Sequence, residues 1–480
     1  MLYFYTLPTR AMGRSSRYTS SKPFSTSYLR PSSHPSPPRQ SAWAAATESA
    51  HNILQLPPNS TSTTTTKILE DPLSAINTEI ENLKSSLWRM LGSSNSALDT
   101  VAKYYFQAEG KHLRPLLVLL MSQATNGLGG KGWEQAEMEA KKRGVDDSLT
   151  AAGGVLNDWN PEVSGPEPTG LARRNVYAEP YRIPPVDLGA AERPPSSRFD
   201  QSIGASGEPT ILSTQRRLAS VTEMIHVASL LHDDVIDGSD LRRGSPSAPS
   251  TFGSKLSILS GDFLLGRASV ALARLGSSEV VELLASAIAN LVEGEVMQLR
   301  ATSEPEKAPT VKGFEDYMRK TYLKTASLMA KSARAAVVLG GCGTVDDQAA
   351  WVKDVAYGYG RNLGIAFQLI DDALDYLPPD SSLGKPSNGA DLRLGLATAP
   401  ALFAWETNPQ LGPLILRKFT EPGDVEVARD IVEKCKGLEK TVELARKFAE
   451  EARRLAEMLP ASGARDALVE LTVKVVERVK

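Results

Sequence analysis

The chain has 480 residues, 41% hydrophobic and 23% charged, with a formal net charge of -2. That length allows one large domain or a few ordinary ones, and the balance shows no basic stripe of the kind that holds a nucleic-acid backbone, so no nucleic-acid partner is expected. Two distant cysteines, Cys342 and Cys435, exclude a disulfide framework, and the longest aliphatic run, 116–121, falls far short of the ~20 residues that span a bilayer.

In chain order, residues 1–50 are rich in Ser and Arg, hold no acid before Glu48 and open on Leu2, Tyr3, Phe4 and Tyr5. This is the composition of a mitochondrial transit peptide, read as a disordered targeting segment. Residues 51–70 include PPNSTSTTTT at 57–66, a polar low-complexity run that cannot form a core and reads as a linker. A single folded domain is expected over 71–480. It begins on Asp71 and Pro72, a good N-cap and first helical residue, followed by Leu73, Ile76, Ile80, Leu83, Leu87, Met90 and Leu91 at helical spacing. The same period recurs over 98–125, 213–236, 254–274, 280–301, 311–339, 349–376, 425–459 and 465–479, while strand-like alternation is scarce, so the fold class is all-α. One stretch interrupts the pattern. Residues 126–209 hold 12 Gly and 9 Pro in 84 positions, twice the ~12% average usage, and read as an insertion that is disordered for most of its length.

Two acidic clusters carry the chemistry. LLHDDVIDGSDLRRGSP at 230–246 places Asp233 and Asp237 four apart, and FQLIDDALDY at 367–376 repeats this with Asp371 and Asp375. On a helix each pair shares a face, roughly 6 Å apart. Each ends an otherwise apolar helix, marked by Leu218, Val221, Ile225 and Leu230 in one and Ile365, Phe367 and Ile370 in the other. One such cluster reads as readily as a solvated helix end. Two copies, with Arg242 and Arg243 following the first, point to a shared cation, because carboxylates at packed helix ends repel unless neutralised. An all-oxygen donor set selects Mg²⁺, which commonly shares its shell with substrate phosphates, and guanidinium forks suit a diphosphate.

At this point the sequence resembles the trans-isoprenyl diphosphate synthases, in particular their mitochondrial long-chain branch, from about residue 67 to 480 with 126–209 outside the match. The motifs that carry the resemblance are GKHLRP at 110–115, the first aspartate run, GDFLLGRA at 261–268, GEVMQL at 294–299, KTASL at 324–328, the second aspartate run and GKPSNGADLRLGLATAP at 384–400. The resemblance implies a helical bundle around a central cavity and a condensation of isopentenyl diphosphate with an allylic diphosphate, giving a long all-trans chain for the ubiquinone side chain. It implies that Lys111, Arg114, His226 and Arg243 hold the isopentenyl diphosphate. Arg242, Lys324 and Lys385 would hold the allylic diphosphate, with about three Mg²⁺ bridging it to the aspartates, and Thr325 and Gln368 would turn oxygen dipoles toward the developing cation. It also implies a homodimer or a heteromer with a related subunit, in the mitochondrial matrix, with peripheral contact to the inner membrane. In one departure, this chain has Leu396 where many shorter-chain relatives carry a further lysine.

The chemistry requires no protein nucleophile: metals and cations stabilise the departing diphosphate, and exclusion of water protects the carbocation. Product length is expected to depend on Ala228 and Ser229, five and four residues before Asp233, whose small side chains leave room for a growing tail. Three rival readings remain: a farnesyl- or geranylgeranyl-length synthase, a terpene cyclase sharing the first aspartate motif, and a non-catalytic subunit of a heteromeric synthase. A cyclase lacks an isopentenyl site, and a regulatory subunit has degraded aspartates. Both clusters here are intact.

Overall fold

Apolar residues at three- and four-residue spacing wind into the helices that the periodicity predicts. The computed structural model describes residues 79–80, 83, 87, 96–107, 112–142, 180, 182–183, 210–242, 245–303, 308–345, 349–377 and 389–478, all within the unit Ser62–Lys480. The targeting segment, the linker and the predicted helix start at Asp71 lie outside the described residues. So do Lys111, Arg243 and Lys385.

The helices in order are α1 Ser96–Gln107, α2 Leu113–Thr125, α3 Lys131–Lys142, α4 Ser213–Ile236, α5 Ala248–Phe252, α6 Ser254–Ala273, α7 Ser278–Ser303 and α8 Val311–Thr321. After a π-helical turn at Tyr322–Ala326 come α9 Ser327–Leu339, α10 Trp351–Leu374, α11 Ala390–Arg393, α12 Ala399–Trp405, α13 Leu411–Leu416, α14 Asp424–Lys434, α15 Gly437–Glu457 and α16 Gly463–Glu477. The sheet content of the described residues is a two-residue hairpin, β1 Leu241–Arg242 with β2 Ser245–Pro246. The fold is all-α, as expected.

Three expected spans differ. The helix predicted over 98–125 breaks between α1 and α2, where His112 takes a left-handed φ of 39° inside the GKHLRP segment. The helix predicted over 425–459 breaks at Lys436, also left-handed at φ 56°. Residues 126–209, expected to lack helix, carry α3, whose Trp133 is only 2% exposed. That helix is short and strongly polar outside its buried face, so glycine flanks hide its period. Asn126 is likewise part of the core edge. Its side chain exchanges hydrogen bonds with Gln215 at 2.9 and 2.7 Å and donates to the Thr210 carbonyl at 2.9 Å, tying the end of α2 to the start of α4.

Helix α9 is buried along its whole length except at Arg334 and packs against α2, α4, α7 and α10. A helix enclosed on all sides needs small residues where neighbours cross. A Cβ on Gly364 would stand 2.6 Å from the Ala326 Cα, and one on Gly294 would stand 2.6 Å from the Lys324 Cγ. The π-helical turn is therefore clasped between α7 and α10 by two glycines that let backbone meet backbone. Helix α6 is long and apolar enough to cross a membrane by length and composition, with 39% of its apolar window buried. A search for uninterrupted aliphatic runs does not detect it because Ser, Gly, Asp and Arg punctuate it. It packs on α4 and α1 through Ser257, Ser260, Gly261 and Leu264 and leaves Ile258, Leu259 and Val270 exposed.

The clasp gives a direct expectation. Gly364→Ala should push α10 from the π-helical turn and cost ~1–3 kcal/mol, the usual scale of overpacking. Thermal unfolding of the variant should show the loss as a lower Tm.

Candidate active site

The apolar face of α4 carries its last turn into the interior, and with it the first acidic pair. The Asp237 N–H donates to the Asp233 carbonyl at 2.8 Å, closing that turn with both side chains on one face. Burial, opposed by the Lys324 and Arg242 charges and joined by those of Glu295 and Asp237, pushes the Asp233 carboxyl up to about 7. Burial also raises Asp237, again with Glu295 adding and Lys324 and Arg242 opposing. Among the described residues no hydrogen bond reaches the Asp233 carboxylate. Asp237 has one long contact, from Gln298 Nε2 at 3.5 Å.

The π-helical turn supplies the link to the second cluster. π turns widen a helix by one residue and recur at functional sites; here the turn presents Lys324 and Thr325 side by side. Lys324 Nζ donates to Gln298 Oε1 at 3.1 Å and forms an ion pair with Glu295. The Glu295 oxygens are otherwise buried and lack aligned hydrogen bonds, so this pair is charge contact rather than a directed bond. Thr325 donates to Gln368 Oε1 at 2.7 Å, and Gln368 Nε2 donates to Asp372 Oδ1 at 2.8 Å. Lys324 thus reaches Asp237 through Gln298, and its neighbour on the turn, Thr325, reaches Asp372 through Gln368, so adjacent residues of one turn connect to both clusters.

The second cluster is more heavily engaged than the first. Asp371 accepts from Arg478 at 2.9 Å, and that guanidinium lies 4.7 Å from the Phe367 ring centroid. Asp375 accepts from the backbone N–H groups of Ala390 and Asp391 at 3.0 Å each, which fixes the start of α11 against the end of α10. Tyr317 donates to Asp372 Oδ2 at 2.5 Å. Burial raises Asp372 against the opposing Tyr317 and Gln368 hydrogen bonds and the Lys320 charge.

Of the residues expected at the isopentenyl diphosphate, Arg114 and His226 meet at 3.0 Å. A guanidinium has no acceptor, so His226 Nε2 is the unprotonated nitrogen of this bond. Arg242 forks onto Asp234 beside the first cluster. Ala228 is fully enclosed, while Ser229 is half-buried with its hydroxyl donating to the His226 carbonyl at 2.8 Å. Leu396 lines a cavity of about 560 Å³ together with Phe314, Tyr317, Lys320 and Trp405. Lys320, whose pKa is lowered by burial while the Asp372 charge opposes, stands on the same cavity wall as Leu396.

Sequence reasoning assigned no role to Tyr105, Asp234, Glu295, Gln298, Tyr317, Lys320 or Arg478. Glu295 and Gln298 stand inside GEVMQL and Lys320 is one turn before Lys324, so spacing could have found them. Tyr105 and Arg478 come from more than a hundred residues away, where no local pattern signals contact.

The donor set suits Mg²⁺: every candidate ligand is a carboxylate oxygen, and buried negative charge at Asp233 and Asp237 favours a bound cation. Among the described residues no three His, Cys, Asp or Glu side chains converge into a ready-made metal site. That fits a hard ion which completes its shell from substrate phosphates.

Acidic pairs at the ends of two apolar helices, with a guanidinium fork beside the first, lie on an all-helical scaffold. Residues 199–433 match the polyprenyl synthetase family model. The chain is 46% identical over 454 residues to a probable mitochondrial hexaprenyl pyrophosphate synthase of Neurospora crassa, covering 93% of this chain and 90% of that protein. It is 41% identical over 458 residues to the mitochondrial hexaprenyl pyrophosphate synthase of Saccharomyces cerevisiae, covering 87% and 92%. Among solved structures, a Caulobacter crescentus polyprenyl synthase complexed with calcium and isoprenyl diphosphate superposes with a TM-score of 0.61 at 26% identity, covering 88% of this chain and 99% of that one. The chain belongs to the polyprenyl synthetase family and is a prenyl-transferring enzyme. The family depends on Mg²⁺.

The raised Asp233 has a consequence for stability. Its folded value lies above the ordinary carboxylate range, so its charge opposes folding once pH exceeds that range, and the loss is complete above about 7. Asp233→Asn should raise the Tm at pH 8 in EDTA, with the gain shrinking toward pH 4, while abolishing turnover with Mg²⁺.

Proposed function

We propose that this enzyme condenses isopentenyl diphosphate repeatedly with an allylic diphosphate and releases an all-trans chain of six or more isoprene units. The observation that carries this reading is that neighbouring residues of the π-helical turn connect to both aspartate clusters, Lys324 through Gln298 and Thr325 through Gln368. The product would serve the ubiquinone side chain in mitochondria, in line with the mitochondrial hexaprenyl synthases that the chain resembles.

Asp233, Asp237, Asp371 and Asp375 would hold about three Mg²⁺, whose positive charge stabilises the departing diphosphate. Lys324 and Arg242 bind that diphosphate, joined by Lys385, which lies outside the described residues. Arg114 and His226 orient the isopentenyl diphosphate with Lys111 and Arg243. Thr325 and Gln368 keep oxygen lone pairs beside the allylic carbon, where positive charge develops as the C–O bond breaks. The buried faces of α4, α9 and α10 exclude water from that carbocation. Attack by the isopentenyl double bond then forms the new C–C bond, and the departed diphosphate is the base within reach of the proton lost. A partner subunit, identical or related, would cover the outward residues Ile258, Leu259 and Val270 of α6 and Val292 and Val296 of α7, all 41–61% exposed. Because the product is a detergent-like lipid, the enzyme would also contact the membrane peripherally.

Purified protein given labelled isopentenyl diphosphate and a choice of allylic primers should extend them with Mg²⁺ and not with EDTA. Hydrocarbon released from an allylic diphosphate alone, or products no longer than four units, would overturn the assignment. Ser229→Phe, at a half-buried position beneath the first cluster, should shorten the product while the early condensations persist. Ala228→Phe should do the same, with a lower Tm because its site is enclosed. Chain-length analysis of both variants checks this.

A further inference from the structure

We propose that Tyr105 and Asp234 are positioning residues that clamp one edge of the Arg242 guanidinium and turn its other edge toward the allylic diphosphate. The inference rests on the reading that Arg242 binds that diphosphate, and it gives the middle acid of the first cluster a task other than metal binding.

Asp234 follows Asp233 by one residue, so it points about 100° around the helix, away from the face shared by Asp233 and Asp237. It is fully buried. There it receives Arg242 Nε at 2.8 Å to both oxygens and Nη2 at 2.5 Å. The Tyr105 hydroxyl, from α1, donates to the same carboxylate through Oδ2, and the hydroxyl oxygen accepts the Ala248 N–H at 2.8 Å. Burial and the Asp234 bond together hold the Tyr105 proton in place, raising it well above its ordinary range. One hydroxyl thus connects α1, the end of α4 and the first residue of α5, and β1 is suspended from the carboxylate between them.

A guanidinium has five N–H donors in a fixed plane. Asp234 takes the edge formed by Nε and Nη2. No partner among the described residues takes Nη1, and the side chain remains 28% exposed. Its charge acts on Asp233 and Asp237, so the guanidinium lies close to the first cluster while its Nη1 edge faces away from Asp234. Two parallel N–H groups held in that orientation match adjacent oxygens of a diphosphate. Without Tyr105, the carboxylate would lose its only other hydrogen-bonding side chain among the described residues and could rotate, carrying the fork with it. The second cluster repeats the arrangement: its middle acid, Asp372, is 4% exposed and is likewise held by a tyrosine, Tyr317, while passing order on to Gln368.

The test is Tyr105→Phe in the full chain, which keeps the ring and removes the hydroxyl. The KM for the allylic diphosphate, and the Kd of a non-ionising allylic thiolodiphosphate measured calorimetrically with Mg²⁺, should rise ~10-fold, the scale of one lost hydrogen bond to a charged group. The KM for isopentenyl diphosphate and the half-saturating Mg²⁺ should stay within about twofold, since Arg242 holds neither the isopentenyl diphosphate nor the metal. In an Arg242→Ala background the same substitution should cause no further loss of thiolodiphosphate affinity. An unchanged Kd, an additive loss in the double variant or a shift in Mg²⁺ half-saturation overturns the proposal. If Tyr105→Phe fails to fold, Asp234→Asn serves in the same cycle with the same outcomes. Wild-type protein that extends no primer overturns the functional reading instead, so the two failures are distinct.

Discussion

Carboxylates withdrawn from water at the ends of α4 and α10 carry a free-energy cost that the polypeptide alone does not remove. Burial raises Asp233 to about 7, and Glu295 and Asp237 add to the strain, while Lys324 and Arg242 relieve it only in part. Removing the first cluster from solvent therefore creates a place where added positive charge is favoured, and a multivalent anion is favoured in turn once that charge is present. Lys324 sits between the clusters because the π-helical turn widens the backbone at that point. Gly294 and Gly364 let α7 and α10 close on the turn from both sides.

The six aspartates divide their labour by the direction in which the helix points them. The middle acids, Asp234 and Asp372, are buried and satisfied by tyrosine, arginine and glutamine donors. They fix geometry. Asp233 and Asp237 are thinly supported and keep their oxygens for a cation. The second outer pair occupies a middle position, since Asp371 meets Arg478 and Asp375 holds the first amides of α11. Each carboxylate oxygen has two lone pairs, so these bonds leave capacity for a metal while tying the end of the chain and the segment after residue 388 to the site.

The same geometry accounts for the tolerance of a reactive cation. Helix α9 is enclosed on nearly all faces, and at its start Thr325 and Gln368 are paired in a relay that ends on Asp372. A buried polar group left unpaired is costly and attracts water. A relay that ends on a satisfied acid offers oxygen dipoles without offering a mobile nucleophile.

The all-α class, most helix spans, the two acidic pairs and the family were legible in the sequence because each rests on a local period: 3.6 residues for the apolar faces and four for the paired acids. The break at His112, the helix inside 126–209 and the division at Lys436 were not legible, since a left-handed residue or a short polar helix leaves little trace in apolar spacing. Asp233 and Asp371 could be nominated by pattern alone, but which residues stand beside each of them could not. Tertiary structure decided that, by bringing Lys324 and Gln298 to one cluster and Gln368 to the other. It also decided that Tyr105 and Arg478 belong to the site, because contacts between residues more than a hundred positions apart depend on how helices cross, and helix crossing is set by side-chain volume summed over many positions rather than by any single motif.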